Sequence, residues 1–196
     1  MKLISFEQNG SNRIGAIENG FIYDFHSIDS NISDSMLGFL QGGEVQMNLA
    51  NKAINGGKTS IPVDSVKLLS PLSNPPSVRD AYAFRQHVAT ARKNRGLEMI
   101  PEFDEIPIFY FTNHNAVFGP GNFPVLKRHT EKLDFELECA AIIGKGGRNI
   151  SVSEADNYIT GFMIMNDFSA RGLQMQEMKL NLGPAKGKDF GSSFGP

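Results

Sequence analysis

The segment Asp134 to Ile143, Asp-Phe-Glu-Leu-Glu-Cys-Ala-Ala-Ile-Ile, constrains this chain more than any other. It reads as a β-strand. Successive strand side chains alternate between faces, so Glu136 and Glu138 point together while Phe135, Leu137 and Cys139 point the other way. By spacing alone such a pair is most often a solvated strand face. Its continuation, Ala140 to Ile143, is apolar, and bare like charges are costly in such surroundings. A second apolar run, Gly161 to Phe168, reads as another strand, and Asn166-Asp167 lies at its end. Glu136, Glu138 and Asp167 would then offer three hard oxygen donors without thiolates, a set suited to Mg²⁺, Mn²⁺ or Ca²⁺. A bound cation would also offset their mutual repulsion.

The remaining pattern is of short strands and short helices. Lys2 to Phe6, Arg13 to Ile17 and Phe21 to Asp24 read as strands, separated by the hairpin signals Asn9-Gly10 and Asn19-Gly20. Ser33 is a candidate cap for a helix through Leu40, and Glu44 to Ile54 reads as a second helix. Three prolines between Pro71 and Pro76 mark a stiff boundary. Phe84 to Lys93 has helical spacing, Ile106 to Thr112 reads as a buried strand, and Ser153 with Asp156 forms a capping box for a short helix. The expected fold class is therefore α+β and predominantly β, with a small N-terminal α/β domain over 1–70 and a main domain over 71–196.

Composition limits the function classes. The chain has 196 residues, with 19 Lys and Arg against 21 Asp and Glu. This ordinary globular balance excludes a disordered or collagen-like chain and gives no electrostatic reason to expect nucleic acid or an anionic membrane as partner. The single cysteine, Cys139, excludes an internal disulfide. No apolar run approaches the ~20 residues of a membrane span. The first residues meet charge too early for a signal peptide, so the cytoplasm is the expected compartment. The final Ser193-Phe194-Gly195-Pro196 lacks a polar tail, and a truncated C-terminus is the expectation.

Two further clusters carry possible chemistry. In Arg79-Asp80-Ala81-Tyr82-Ala83-Phe84-Arg85-Gln86-His87, Asp80 reads either as a helix cap or as a fourth metal ligand, and His87 either as an exposed helix residue or as a general base. In Ser169 to Gln174, Arg171 and Gln174 share a helix face and read either as a solvated helix start or as a clamp for a substrate carboxylate. Two motifs are rejected. Gly191 to Gly195 fits G-x-S-x-G but has no acid or histidine partner after it. Gly183 to Lys188 has the wrong spacing for a phosphate loop, and Asp189 replaces its Ser or Thr.

Taken together, the blocks at 79–87, 133–138, 165–171 and 183–191 resemble the fumarylacetoacetate hydrolase family. The resemblance implies a mixed β-roll or β-sandwich behind the small N-terminal domain, and a homodimer. It puts metal ligands at Glu136, Glu138 and Asp167, with Asp80 as a fourth, and a general base at His87. It makes Lys188 a stabiliser of developing negative charge, and Tyr82, Tyr110, Arg171 and Gln174 substrate contacts. The implied substrate is a 1,3-diketo acid or acylpyruvate. The implied reaction is metal-assisted attack of water on a carbonyl with cleavage of a C–C bond.

The chain departs from that pattern in three places. Family members run on for roughly another hundred residues, and a glutamate that orients the histidine lies there in the name-giving enzymes. Related small hydrolases use a glutamate three residues after the histidine, where this chain has Thr90. Met178 replaces a substrate-contacting tyrosine. The alternatives are decarboxylation or tautomerisation of an oxaloacetate-like acid on the same metal, or an inactive fragment.

Overall fold

The computed structural model describes residues 1–57 and 60–196. The chain opens as a meander of β1 (Lys2–Gln8), β2 (Ser11–Glu18) and β3 (Phe21–Asp24). Asn9 and Asn19 each take φ of 51°, followed by Gly10 at 76° and Gly20 at 82°. Two successive positive φ angles are what a two-residue hairpin turn needs, which is why Asn-Gly stands at both.

The Asp24 carboxylate caps α1 (Phe25–Ile28), accepting the Ser27 N–H at 3.3 Å. α2 (Met36–Gln41) is capped by Ser35, whose hydroxyl accepts the Gly38 N–H at 3.2 Å. The expected cap was Ser33. Its hydroxyl instead donates to the Ser35 carbonyl at 3.1 Å, so the helix begins later than its hydrophobic pattern does. After α3 (Gly43–Asn55), β4 (Ser60–Pro62) and β5 (Lys67–Leu69) complete an antiparallel sheet in the order β4-β3-β2-β1-β5. Ile14 and Ala16 on one face pack with Phe25, Phe39 and Ala50 from the helices, while Ile4, Phe6 and Ile22 are buried in a second cluster. Each large side chain so buried contributes roughly 1.5–3 kcal/mol.

After the prolines the chain forms β6 (Val78–Ala81), α4 (Arg85–Asn94), α5 (Glu102–Glu105) and β7 (Phe109–Thr112). β6 and β7 pair as an antiparallel ribbon with Asp80 opposite Tyr110. Then come β8 (Val117–Phe118), α6 (Lys127–Thr130), β9 (Leu133–Asp134), β10 (Leu137–Ile143), β11 (Ile159–Asp167), β12 (Ser169–Ala170), α7 (Arg171–Glu177) and β13 (Ser192–Gly195). The second main sheet runs β10-β11-β13-β8, and β9 pairs with β12. Strands outnumber helices among the described residues, as expected for an α+β, predominantly β chain.

Several local expectations need correction. The strand expected over Ile106 to Thr112 is confined to β7, with Phe109 and Phe111 exposed. A two-stranded ribbon packs one face on the protein and leaves the other open, and the Arg79 guanidinium lies over those two rings. The strand expected from Asp134 to Ile143 is interrupted at Phe135-Glu136, and its Leu137 face is exposed together with Phe162 and Ile164. Val152–Tyr158 is a 3₁₀ helix whose cap residue, Ser151, makes no side-chain bond to the first-turn backbone; its hydroxyl lies 3.0 Å from Ser153 Oγ instead, so the short helix forms but the Ser153 capping box does not. Gly191 to Gly195, by contrast, is no nucleophile turn, as expected: the segment contains strand β13, and Ser193 Oγ donates to the Gly119 carbonyl at 3.2 Å.

Candidate active site

The register of the second sheet assembles the site. Glu138 lies opposite Met165 and Leu137 opposite Asn166. One residue further, Glu136 and Asp167 exchange backbone bonds, Glu136 N to Asp167 O at 3.2 Å and Asp167 N to Glu136 O at 3.0 Å. Directly opposed residues share a face, so Glu136, Glu138 and Asp167 point the same way. The β6–β7 ribbon adds Asp80. Oxygens of Asp80, Glu138 and Asp167 all lie within 4.8 Å of one another.

Tyr110 joins the ribbon to the sheet. Its hydroxyl lies 2.7 Å from Asp80 Oδ2 and 2.7 Å from Asp167 Oδ2. A phenol has one proton to donate, so the two carboxylates compete for it. Burial, reinforced by the charges of Asp167 and Asp80, pushes the Tyr110 hydroxyl above the ordinary tyrosine range and keeps it protonated.

Lys188 supplies the buried positive charge. Its ammonium donates to Asp167 Oδ2 and, at 2.8 Å, to Glu136 Oε2. Burial opposes the lysine's charge, but the Asp167 and Glu136 partners outweigh it and hold the ammonium above its ordinary range. Arg171 reaches the same carboxylate from outside: Nη2 donates to Glu136 Oε1 at 2.7 Å and Nε to Asp134 Oδ2 at 2.9 Å. Burial pushes Glu136 up, yet Lys188 and Arg171 together bring it below the usual glutamate value.

Among the described residues Glu138 has no such hydrogen-bonded cation. Burial raises it to about 8, with the Asp80, Asp167 and Glu136 charges adding to the effect. Burial also raises Asp167 to about 6 against the pull of Lys188. Asp167 is wholly buried, and its Oδ1 has no hydrogen-bond partner among the described residues. An orphaned carboxylate oxygen beside two further carboxylates fits a hard divalent cation, which would satisfy Oδ1 and relieve the repulsion.

The structure gathers some sequence candidates and leaves others apart. Asp80, Glu138 and Asp167 converge, with Tyr110 between Asp80 and Asp167, whereas Glu136 is turned to Lys188 and Arg171. Asp80 lies on β6, so it caps no helix. Gln174 Oε1 accepts from Arg171 Nη1 at 3.1 Å, which commits both expected carboxylate clamps partly to each other. A guanidinium has five N–H donors, and three are engaged here, leaving two unengaged among the described residues. His87 is exposed on α4, and its imidazole makes no hydrogen bond among the described residues. Tyr82 is exposed and lines a cleft of about 310 Å³ with Phe103 and Ile106.

Sequence reasoning missed other contributors. Asp134 anchors Arg171, and the Thr112 and Ser192 hydroxyls are buried without a partner among the described residues. Nothing in the local pattern marks those hydroxyls, because only register brings them inside.

A fold of this kind around an acidic cluster defines a candidate metal-centred enzyme, and the comparisons give its family. Residues 77–196 match the family model described as Fumarylacetoacetate (FAA) hydrolase C-terminal, and the chain belongs to this family, whose members are enzymes, hydrolases and tautomerases among them. It is similar to oxaloacetate tautomerase Fahd2a, mitochondrial, of Rattus norvegicus, at 27% identity over 160 residues, 82% of this chain and 49% of the relative. The fumarylacetoacetate hydrolase of Exiguobacterium antarcticum is 29% identical with a TM-score of 0.69, the match covering 100% of this chain and 65% of that one. Maleylpyruvate hydrolase from Sphingobium sp. SYK-6, solved with manganese(II) and pyruvate, shares the fold at 20% identity and a TM-score of 0.69, covering 100% of this chain and 66% of that one. The chain spans about half the length of the curated relatives it matches, 57% and 49% of the first two. Among the described residues no helix is long and apolar enough to cross a membrane.

Proposed function

We propose that this site belongs to a divalent-metal-dependent hydrolase that cleaves a C–C bond in a 1,3-diketo acid of the acylpyruvate type. The observation that carries the reading is the convergence of Asp80, Glu138 and the buried, half-unpartnered Asp167 beside a buried lysine. Asp80, Glu138 and Asp167 would hold the cation, with Glu136 beside them. A cation bound there supplies Lewis-acid polarisation of the substrate's oxygens. The manganese and pyruvate in maleylpyruvate hydrolase support Mn²⁺ and a pyruvoyl group, and the all-oxygen donor set suits Mg²⁺ equally.

The chain's own residues then divide the work. The free donors of Arg171, with Gln174, bind the substrate carboxylate. Lys188 offers a charged donor where negative charge develops as the C–C bond breaks. Tyr82 and Tyr110 line the approach. His87, carried on α4, takes the proton from water. The acting form is proposed to be a homodimer in the cytoplasm.

A second reading, keto–enol tautomerisation of oxaloacetate, is favoured by the exposed, unpartnered state of His87 and by Thr90 where a helping glutamate would stand. Moving a proton between carbon and oxygen needs no activated water. The similarity to an oxaloacetate tautomerase points the same way.

The test is a spectrophotometric assay with Mn²⁺ on an acylpyruvate and on oxaloacetate. C–C hydrolysis predicts loss of the acylpyruvate enol absorbance with release of two carboxylic acids, and Glu138→Gln abolishes it. Equilibration of oxaloacetate without cleavage of the acylpyruvate selects the tautomerase. Inactivity on both, with no Mn²⁺ bound, rejects the site.

A further inference from the structure

Lys188 sits in a short loop with no regular structure to hold it, yet its side chain is 3% exposed and fixed against two carboxylates. The loop is gripped from one side by a single side chain. Glu177 Oε1 accepts the N–H of Ala185 at 2.8 Å and of Gly187 at 3.0 Å, and Oε2 accepts that of Lys186 at 2.6 Å. Three successive backbone donors thus converge on one carboxylate, whose charge strengthens each bond. These contacts end at the residue before Lys188.

The second grip is steric. The Gly187 carbonyl accepts the Ala170 N–H at 2.8 Å. A Cβ built on Gly187 would lie 2.7 Å from Gln174 N and 2.8 Å from Gln174 Cα, so the loop backbone rests directly on α7. Gln174 and Glu177 are three residues apart and share a helix face. That face is the platform on which the loop lies.

We infer that Glu177 is a positioning residue: through the amides of Ala185, Lys186 and Gly187 it sets the loop so that Lys188 enters the carboxylate cluster. This rests on the reading of Lys188 as a working group of the site, but its physical content, where the lysine sits, can be tested without turnover. Lys186, exposed in the same loop, is a built-in reference. In EDTA, with no substrate, acylation by an amine-reactive ester is followed by peptide mass spectrometry at both lysines.

In the unaltered protein Lys188 labels far more slowly than Lys186. Glu177→Ala raises the Lys188 rate by about tenfold or more, while Lys186 changes little, because loss of the one charged acceptor shared by three loop amides opens the loop locally. Glu177→Gln, which keeps an oxygen for two of the three amides, gives a smaller rise. Gly187→Ala, which pushes the loop off α7 from the other side, reproduces the effect with Glu177 intact. Hydrogen exchange at the amides of Ala185 to Gly187 accelerates in parallel. If Lys188 stays protected in a cooperatively melting Glu177→Ala or Glu177→Gln protein, the inference is overturned. Failure of the unaltered protein to bind Mn²⁺ would sink the proposed function instead and leave the labelling result standing.

Discussion

Glu136 and Asp167 form a backbone-bonded cross-strand pair, their amides and carbonyls exchanging bonds of 3.0 and 3.2 Å. Like charges directly opposite one another destabilise a sheet. Here the Lys188 ammonium bonds both carboxylates at once, so a pairing that opposes folding becomes a charged cluster with a defined geometry.

Removing that ammonium leaves buried, uncompensated charge. Lys188→Met is expected to destabilise the metal-free protein by about 3 kcal/mol, the scale of breaking a buried ion pair. Urea melts in EDTA measure it, and saturating Mn²⁺ should recover part of the loss. An unchanged midpoint would contradict the arrangement.

Tyr110→Phe removes the proton that lies between Asp80 and Asp167. The expected loss in EDTA is about 1–3 kcal/mol, the cost of leaving buried acceptors unsatisfied. With Mn²⁺ present the loss should shrink, since the cation takes over as the partner of both carboxylates. Equal losses in the two conditions would show that the cation binds elsewhere.

The pH dependence has a definite sign. Glu138 holds its proton to about 8 when folded and to 4.5 in its ordinary state. Asp167 shows the same displacement, from 3.8 to about 6. Between each pair of values the folded chain binds more protons, so this contribution to stability is full below the ordinary values and is lost as pH rises through the folded ones. Glu136 and Asp134 are lowered, and their contribution disappears instead as the solution is acidified through their folded values. Thermal melts in EDTA should therefore show the site's contribution falling from about pH 5 to 8; a steady rise over that range would refute it. Mn²⁺ binding should strengthen over the same range and release protons, which calorimetry in buffers of different ionisation enthalpy detects.

Glu138→Gln separates charge from shape. The amide mimics the protonated acid, so metal-free stability should be unchanged only at about pH 4, below the ordinary glutamate value, and the variant should become progressively the more stable protein as pH rises from there towards about 9. Its Mn²⁺ affinity should fall by at least the roughly 10–100-fold seen when mere supporting partners of metal ligands are lost. Retention of affinity would remove Glu138 from the ligand set.

Much of this was readable along the chain. Asn-Gly pairs placed two hairpins, and a period of two put Glu136 and Glu138 on one face, because turn chemistry and strand alternation depend only on neighbouring residues. The Ser33 cap, the buried β7 and the Ser153 capping box were misread where the outcome depended on which competing partner was near in space. Tertiary structure alone decided that Asp167 faces Glu136, that Tyr110 bridges to Asp80, and that Lys188 is held inside by a loop resting on Glu177. Those contacts join residues 21 to 57 positions apart along the chain, or hang on a loop's closure. They arise from register and packing, which no local pattern of side chains encodes.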